Sequence, residues 1–338
     1  MIHTSESPSP YITNPYTVLI TGGTGSFGSA MTACLIGIQD GPRVRVYSRN
    51  EDNQANMMRV YPPGPRLTYI LGDVRDVEHL TRAADGCTHI IHSAALKQVP
   101  MGQVNSEEFT KTNIYGTSNV IRAAIDAGVG RSIFVSSDKA VAPINHYGAT
   151  KAAAEGAFIN ANRAGVSRDC KFAVVRGGNV WASRGSVALR WRDAKAAGKP
   201  LQVFGAYDAD GNLSTRFHME MNWWTNFVWQ ACQSMHGGEI FIPKIRAWHL
   251  RELSKAFDSD AIYKAGRAGD KSHEIMWTSD EARRVIDTGE AFVVEPSPDL
   301  RDVWNYSPWK GEAVTGEYSS RTADKLNITE LKELVKSL

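Results

Sequence analysis

From Thr17 onward, short runs of apolar and β-branched residues alternate with stretches of helical periodicity. The apolar runs predict six strands, at 17–21, 43–47, 67–71, 88–92, 131–136 and 171–175, of which the first is buried. Helices are predicted between them, the longest over 106–127 and the last from Tyr147 to about Ala164. Repeated β-α-β units form a parallel sheet that helices cover on both faces. The pattern therefore predicts an α/β protein with a doubly wound parallel sheet.

A glycine-rich segment, residues 21–28, joins the first predicted strand to the first helix. Gly22 permits a tight turn, Gly25 lets the backbone approach a pyrophosphate, and Gly28 lets helix and strand pack closely. Such a pattern is not specific alone, but its place at the first strand–helix junction favours dinucleotide binding over an ordinary turn. The predicted cofactor-binding residues here are Gly22, Thr24, Gly25, Ser26, Phe27 and Gly28.

The end of the second predicted strand bears on the choice between NAD and NADP. An acid there binds the ribose 2′-hydroxyl of NAD, whereas an arginine accommodates the 2′-phosphate of NADP. Ser48 and Arg49 therefore favour NADP, while Glu51 could be a displaced acid and keeps NAD as the alternative. Asp73 and Val74 follow the third strand and are predicted to meet the adenine. In the alternative reading, Asp73 only caps the next helix.

Reactive side chains are densest after the fifth predicted strand, where Ser137, Asp138 and Lys139 precede Tyr147 and Lys151. The tyrosine and the second lysine are four residues apart, so they share one face of a helix. An ammonium beside a phenol lowers the phenol's pKa from about 10 toward neutrality, which suits a base that deprotonates a sugar hydroxyl. The adjacent Asp138 and Lys139 supply a further acid and base that plain alcohol oxidation does not need.

Charge and composition exclude several classes of partner. The 338-residue chain is 42% hydrophobic and 22% charged with a net charge of +2, which gives no basis for binding nucleic acid or acidic membrane. Its four cysteines form no C-x-x-C pair, which indicates free thiols in a reducing compartment. The N-terminus lacks a signal-peptide pattern, and no apolar run approaches the ~20 residues that span a bilayer. We therefore expect a cytoplasmic protein.

The histidines show no metal-ligand spacing. His89 and His92 are three residues apart on a predicted strand, so they point to opposite faces of the sheet. We predict no metal site.

The regular alternation ends after Arg176, where Gly, Trp, Arg and Asn become frequent. We interpret residues 17–176 as an NAD(P)-binding domain of the Rossmann type. Residues 177–338 are interpreted mainly as a smaller α/β substrate-binding region, partly interleaved with the first domain. Residues 1–16, rich in Pro, Ser and Thr, are predicted to form a flexible tail.

Taken together, these motifs resemble the inverting UDP-N-acetylglucosamine 4,6-dehydratases, in the polysaccharide-biosynthesis group of the extended short-chain dehydrogenase/reductases. The similarity runs from about Thr17 to the C-terminus. It is carried in order by 94–100, 136–151, 179–187, 214–217, 238–244 and 267–274.

The resemblance implies a role for each motif. Tyr147, assisted by Lys151 and Ser137, would remove the sugar O4 proton as hydride passes from C4 to the nicotinamide. Lys139 would be the base at C5, with a lowered pKa, and Asp138 would protonate the departing C6 hydroxyl. The loop at the nicotinamide would contribute Ala94, Ala95 and Lys97. The implied substrate-binding residues are Lys97, Asn179, Ser186, Arg216, Arg267 and Glu274, the last near the ribose.

Three positions depart from the family pattern and predict a reshaped sugar pocket. Gly177 stands where a tyrosine is expected, Trp181 where a small residue is expected, and His218 where a tryptophan is expected. A nucleotide-sugar 4-epimerase or 5,6-dehydratase on the same scaffold remains an alternative, as does a non-catalytic nucleotide sensor. An epimerase has no use for Asp138 and Lys139, so this pair discriminates between the enzymes. The resemblance also implies a homo-oligomer.

Overall fold

The structure, a computed structural model, describes residues 16–165, 169–208, 210–300 and 308–338. The tail predicted for residues 1–16 therefore lies, apart from Tyr16, outside the described residues. The strands are β1 Thr17–Thr21, β2 Arg43–Ser48, β3 Leu67–Leu71, β4 His89–His92, β5 Arg131–Ser137, β6 Lys171–Gly177, β7 Asn179–Val180, β8 Leu201–Phe204, β9 Thr215–Met219, β10 Ile240–Pro243, β11 Ala247–His249, β12 Ala261–Lys264, β13 Ile275–Trp277, β14 Val285–Asp287, β15 Ala291–Val294, β16 Glu312–Ala313 and β17 Tyr318–Ser319.

The α-helices are α1 Ser26–Ile36, α2 Glu51–Val60, α3 Val77–Ala84, α4 Val99–Val104, α5 Ser106–Phe109, α6 Gly116–Asp126, α7 His146–Gly165, α8 Val187–Ala196, α9 Met221–Ser234, α10 Leu250–Ala256 and α11 Ile328–Lys336. Short 3₁₀ turns occupy Asp138–Ala140 and Glu281–Arg284. The helix predicted over 106–127 is interrupted by a π-helical turn, Thr110–Tyr115, between α5 and α6. Within the described residues, no helix is both long and apolar enough to cross a membrane.

A ten-stranded sheet forms the centre of the protein, in the order β16-β14-β15-β10-β6-β5-β4-β1-β2-β3. Seven neighbouring strands of this sheet, β10, β6, β5, β4, β1, β2 and β3, run parallel to one another. The other three, β15, β14 and β16, form antiparallel pairs at the edge next to β10. All six predicted strands are confirmed, with ends that differ by at most two residues. Every residue of β1 is buried, as expected for a strand covered on both faces.

Helices cover both faces of this sheet, so the predicted doubly wound α/β class is confirmed. The His92 ring hydrogen-bonds to Thr117 of α6 at 2.9 Å, whereas the His89 ring lies against Trp229 of α9, with the ring centroids 5.6 Å apart. The two histidines therefore point to opposite faces, as their spacing predicts. Helices α3, α6 and α7 pack side by side on one face, and α1 and α9 pack together on the other.

Residues beyond Arg176 contribute both to this sheet and to smaller sheets beside it. Strands β10, β14, β15 and β16 extend the central sheet. Three small sheets, β11-β9-β7, β12-β8 and β13-β17, stand next to the carboxyl ends of the parallel strands, where ligands bind in open α/β sheets.

Candidate active site

A cavity of about 790 Å³ opens over the carboxyl ends of the parallel strands. Every residue that the sequence predicts for the site lines this cavity except Asp138, whose side chain is fully buried. The residues that line it are Gly22, Thr24, Gly25, Ser26, Phe27, Gly28, Ser48, Arg49, Asp73, Val74, Ala94, Ala95, Lys97, Ser137, Lys139, Tyr147, Lys151, Asn179, Ser186, Arg216, Arg267 and Glu274.

The glycine-rich segment forms the predicted turn between β1 and α1. Gly22 has φ of +69°, and a Cβ at this position would lie 2.7 Å from the Ala94 Cα. A Cβ on Gly28 would lie 2.5 Å from the carbonyl oxygen of Gly22. Gly25 is the N-cap of α1 and offers no side chain to its first N–H groups. Those groups are left for an anion, so the turn fits a dinucleotide pyrophosphate.

The far end of the cavity combines Arg49 with Asp73. Arg49 is half exposed, and its Nη1 lies 3.6 Å from Asp73 Oδ2. Although burial opposes it, hydrogen bonds from Arg75 hold the pKa of Asp73 below its usual value. The cap of α3 is Asp76, which accepts from the His79 N–H at 3.0 Å. The alternative role of Asp73 as that cap is therefore wrong.

Asn113, which the sequence reasoning missed, holds the loop that contains Ala94, Ala95 and Lys97. Its side chain is buried on the π-helical turn and exchanges hydrogen bonds of 2.8 and 2.9 Å with the backbone of Leu96. It also donates to Thr150 of α7 at 2.9 Å. The irregular helix thus ties the loop to the helix that bears Tyr147. In the sequence, Asn113 is marked only as a polar residue within a predicted helix, which does not reveal that it holds the loop.

Ser137, Asp138 and Lys139 form a connected group at the end of β5. The Ser137 hydroxyl donates to Asp138 Oδ1 at 2.6 Å, and Lys139 Nζ donates to the same oxygen at 2.9 Å. Burial raises the pKa of Asp138, which favours the protonated acid. Its Oδ2 is buried without a hydrogen-bond partner among the described residues. The geometry therefore brings together the acid and base that the sequence paired.

Glu274 lies against Lys139, with its Oε1 3.2 Å from Lys139 Nζ and 3.8 Å from Arg216 Nε. The resemblance implies a place near the ribose for this carboxylate, but here it pairs with two cations, the predicted base Lys139 itself and Arg216. Burial alone would lower the pKa of Lys139, yet Asp138 and Glu274 outweigh burial and raise it. The expected lowering of the Lys139 pKa is therefore wrong, because the sequence did not reveal the second carboxylate.

Tyr147 and Lys151 share one face of α7 as predicted, but the lysine does not lower the phenol's pKa in this structure. Burial raises the pKa of Tyr147 to about 12, and Asp138 adds to the rise despite the lowering by Lys139. The Lys151 ammonium donates to the Val135 carbonyl at 2.7 Å and lies 3.9 Å from the Phe134 ring centroid. Burial lowers the pKa of Lys151 to about 7.

The predicted substrate residues reach the cavity from several elements. Asn179 of β7 accepts from Lys139 Nζ at 3.3 Å, and Ser186 caps α8. Arg267 bonds to Asp270 at 2.8 Å. Arg190, on α8, was missed by the sequence reasoning; burial first and Arg267 second lower its pKa. Two neighbouring guanidiniums fit a diphosphate.

The three unusual positions have different surroundings from those expected. A Cβ on Gly177 would lie 2.8 Å from Met219 and Trp224 side-chain atoms, so these residues occupy the space that an aromatic residue would need. His218 lines a second cavity of about 710 Å³, together with Trp181 and α11. Its expected place in the sugar pocket is therefore wrong, whereas Trp181 lines both cavities.

The chain is similar to known proteins over most of its length. A family profile described as polysaccharide biosynthesis protein matches residues 18–296, most of the chain. The chain belongs to this family. The chain is 39% identical over 287 residues to a UDP-N-acetylglucosamine 4,6-dehydratase (inverting) of Campylobacter jejuni serotype O:2, with 84% of each chain covered.

A second relative carries a different activity in its name. The chain is 35% identical over 336 residues to a UDP-glucose 4-epimerase of Rickettsia bellii, covering 95% of this chain and 96% of the relative. Among solved structures, Pen from Bacillus thuringiensis superposes with a TM-score of 0.86 at 30% identity, covering 96% and 98% of the two chains. DesIV from Streptomyces venezuelae, a dTDP-glucose 4,6-dehydratase with NAD and TYD bound, has a TM-score of 0.66 at 20% identity over 95% and 96%, which shows the shared fold.

Proposed function

We propose that this protein is a nucleotide-sugar 4,6-dehydratase that acts on a substrate like UDP-N-acetylglucosamine. The observation that carries the proposal is the Asp138–Lys139 ion pair, whose lysine lines the same cavity as Tyr147 and Lys151 while its carboxyl group is fully buried. Tyr147 and Lys151 suit oxidation at C4, whereas Asp138 and Lys139 suit loss of water across C5 and C6. The 39% identical Campylobacter jejuni dehydratase supports the same assignment.

The residues that line the cavity fit a nicotinamide dinucleotide: the N-terminus of α1 would hold its pyrophosphate, and Tyr147 would face its nicotinamide. When bound, it supplies the hydride acceptor for C4 and the hydride donor for C6. We propose NADP, because the Arg49 guanidinium stands at the end of β2 where a 2′-phosphate would lie. NAD is the alternative, and Glu51, the first residue of α2, would then be the acid at the ribose.

In the oxidation half, Tyr147 takes the proton from the O4 hydroxyl. Its pKa of about 12 means that the phenol must first lose its own proton. Lys151 lies one helical turn away; burial lowers its pKa to about 7, and in its charged form the ammonium would favour the phenolate. Ser137 hydrogen-bonds to Tyr147 and lowers its pKa, so it assists the phenolate.

In the elimination half, Asp138 and Lys139 exchange one proton. They form an ion pair at 2.9 Å, and transfer of the Lys139 proton to Asp138 gives an amine and a carboxylic acid together. Burial favours both neutral forms, but at Lys139 the carboxylates of Asp138 and Glu274 outweigh burial and raise the pKa, so the amine forms in only a small fraction of the pairs. The amine then removes the C5 proton, and the acid protonates the C6 hydroxyl, which leaves as water while the C5–C6 double bond forms. After hydride reaches C6, a proton delivered to C5 completes the 4-keto-6-deoxy sugar.

The second candidate is a nucleotide-sugar 4-epimerase, because the Rickettsia bellii relative carries that name. An epimerase needs Tyr147 and Lys151 but no acid and base at C5 and C6. The connected Ser137, Asp138 and Lys139 therefore favour the dehydratase.

Proton NMR of UDP-N-acetylglucosamine with the protein and catalytic NADP in deuterium oxide tests the assignment. We expect a 6-deoxy-4-keto product that carries deuterium at C5, since C5 loses and regains a proton. The same reaction in ordinary water leaves a C5 proton whose couplings give the configuration. An unchanged sugar would contradict the assignment to this substrate, and a product that is only the C4 epimer would establish the alternative.

Replacing Arg49 with alanine is expected to raise the dissociation constant of NADP about 10- to 100-fold, the range of a lost charge-assisted hydrogen bond. The affinity for NAD should change little, because NAD lacks the 2′-phosphate. Fluorescence titration with each reduced cofactor measures both values. Arg59 of the neighbouring α2 provides a matched control, since it bonds only locally, to Asn56. Equal losses for NADP and NAD in the Arg49 variant would contradict the role.

We further infer that the enzyme is a cytoplasmic homo-oligomer. All four cysteines are free thiols and three of them are buried, which suits a reducing compartment. The oligomer rests on the family resemblance alone, and light scattering of the purified protein measures its size.

A further inference from the structure

The segment that follows β7 crosses the cavity to the glycine-rich turn. The Arg184 backbone N–H donates to Ser26 Oγ at 3.0 Å, and its guanidinium donates to the Thr24 carbonyl oxygen. On the other side, Gly185 lies against the Gln98 side chain, next to Lys97. Residues 183–186, here called the clasp, are thus seated between the two loops that would hold the cofactor.

The clasp adds positive charge where the turn itself has none. Residues 22–28 contain no lysine or arginine, so they offer an anion only N–H groups, hydroxyls and the positive end of α1. Arg184 places a guanidinium on this turn. Burial first, then Arg184 and Lys139, lower the pKa of Lys97. Neighbouring positive charges repel one another, and a bound anion would relieve this repulsion. The cluster of Lys97, Lys139 and Arg184 therefore indicates an anion-binding site.

The same segment reaches the substrate end of the cavity. Ser186 caps α8, whose Arg190 also lines the cavity. On its other side, the segment continues from β7, where Asn179 accepts from Lys139. A shift of the clasp would therefore displace its contacts with the glycine-rich turn, and it would also move Asn179 and Arg190, the residues proposed to contact the sugar and the substrate diphosphate.

We propose that Arg184 binds the pyrophosphate of the dinucleotide and that the clasp couples cofactor retention to nucleotide-sugar binding. The inference rests on the dinucleotide site of the proposed function, not on the reaction catalysed there. It explains how a cofactor that is reduced and reoxidised within one turnover stays bound, because the bound substrate would hold the clasp closed. Since such coupling is reciprocal, the cofactor must strengthen substrate binding by the same factor.

Calorimetric titration with ADP-ribose, which carries the pyrophosphate, tests the direct contact. We expect Arg184→Ala to raise its dissociation constant about 10- to 100-fold, with partial recovery in Arg184→Lys. Adenosine 2′-monophosphate, which lacks the pyrophosphate, should bind both proteins equally, and this also shows that the variant is folded. Arg192→Ala is the matched control, because Arg192 on α8 pairs with Asp193 instead. Unchanged ADP-ribose affinity in Arg184→Ala would overturn the proposal.

The coupling is tested with UDP, which fits the substrate site but cannot react. In the unaltered protein, saturating UDP should lower the dissociation constant of ADP-ribose, and the Arg184→Ala variant should lose this effect. A variant that binds UDP weakly but ADP-ribose normally would assign Arg184 to the substrate and overturn the proposal. These titrations involve no turnover, so a failure to dehydrate the sugar would contradict the proposed function without affecting them.

Discussion

Lys139→Ala is expected to stop loss of water while leaving the cofactor bound and C4 oxidation slower but still occurring. Among the described residues the side chain bonds to Asp138, Glu274 and Asn179, and its charge lowers the pKa of Tyr147, so its loss should slow the oxidation half without abolishing it. Removal of a general base costs about 10²- to 10⁴-fold in rate. The sugar should then stop at the 4-ketone, so reduced cofactor should accumulate in amounts comparable to the enzyme. Its near-ultraviolet absorbance after a single addition of substrate measures this directly.

Tyr147→Phe provides the contrast, because it removes the phenol and should yield neither reduced cofactor nor product. Dehydration that continues in Lys139→Ala would place the base elsewhere. Lys97, which lines the cavity, and Lys271, whose pKa burial lowers and on which Glu274 and Asp138 also act, are the other candidates.

Glu274→Gln tests the same base without removing it. Glu274 and Asp138 raise the pKa of Lys139, so loss of one carboxylate should lower that pKa. The base acts when deprotonated, and the acidic limb of the kcat/KM profile should therefore move to lower pH. The KM should change little, because in this role Glu274 does not contact the ribose of the substrate. A profile that stays in place with a raised KM would restore the ribose role.

The fold could be predicted well because its signal is local. Strands such as β1 and β5 are short apolar runs, and burial on both faces leaves them little choice of structure. The turn at Gly22 is likewise set by its own residues. The glycines of the turn and most residues that line the cavity could therefore be predicted from the sequence. The structure adds how closely the backbone of the turn approaches its neighbours.

The electrostatics of the site could not be predicted, because they depend on residues that are distant in sequence. Glu274 raises the pKa of Lys139 only because the chain after β12 returns to the end of β5. Arg184 meets Thr24 across 160 residues. Spacing patterns give the types of residue present, whereas the pKa depends on which charges finally become neighbours.

Arg176→Met is expected to destabilise the protein by about 3–5 kcal/mol, the usual cost of breaking a buried ion pair. Arg176, at 5% exposure, bonds to Glu155 at 2.8 Å and to Glu281 at 2.8 Å, and it donates to the Met276 carbonyl oxygen at 2.8 Å. These bonds join β6, α7, β13 and the Glu281–Arg284 turn. Loss of the guanidinium would leave Glu155 charged and buried on α7, one turn after Lys151.

Denaturant unfolding followed by tryptophan fluorescence measures this loss as a lower midpoint. Glu281→Gln should cost much less, because its carboxylate is 22% exposed and can be hydrated. The double variant Glu155→Met with Arg176→Met should regain much of the stability, since neither charge then remains buried alone. If the double variant were no more stable than Arg176→Met alone, the loss would come from the bond to the Met276 carbonyl oxygen, and Arg176 would act chiefly by tying β13 to β6.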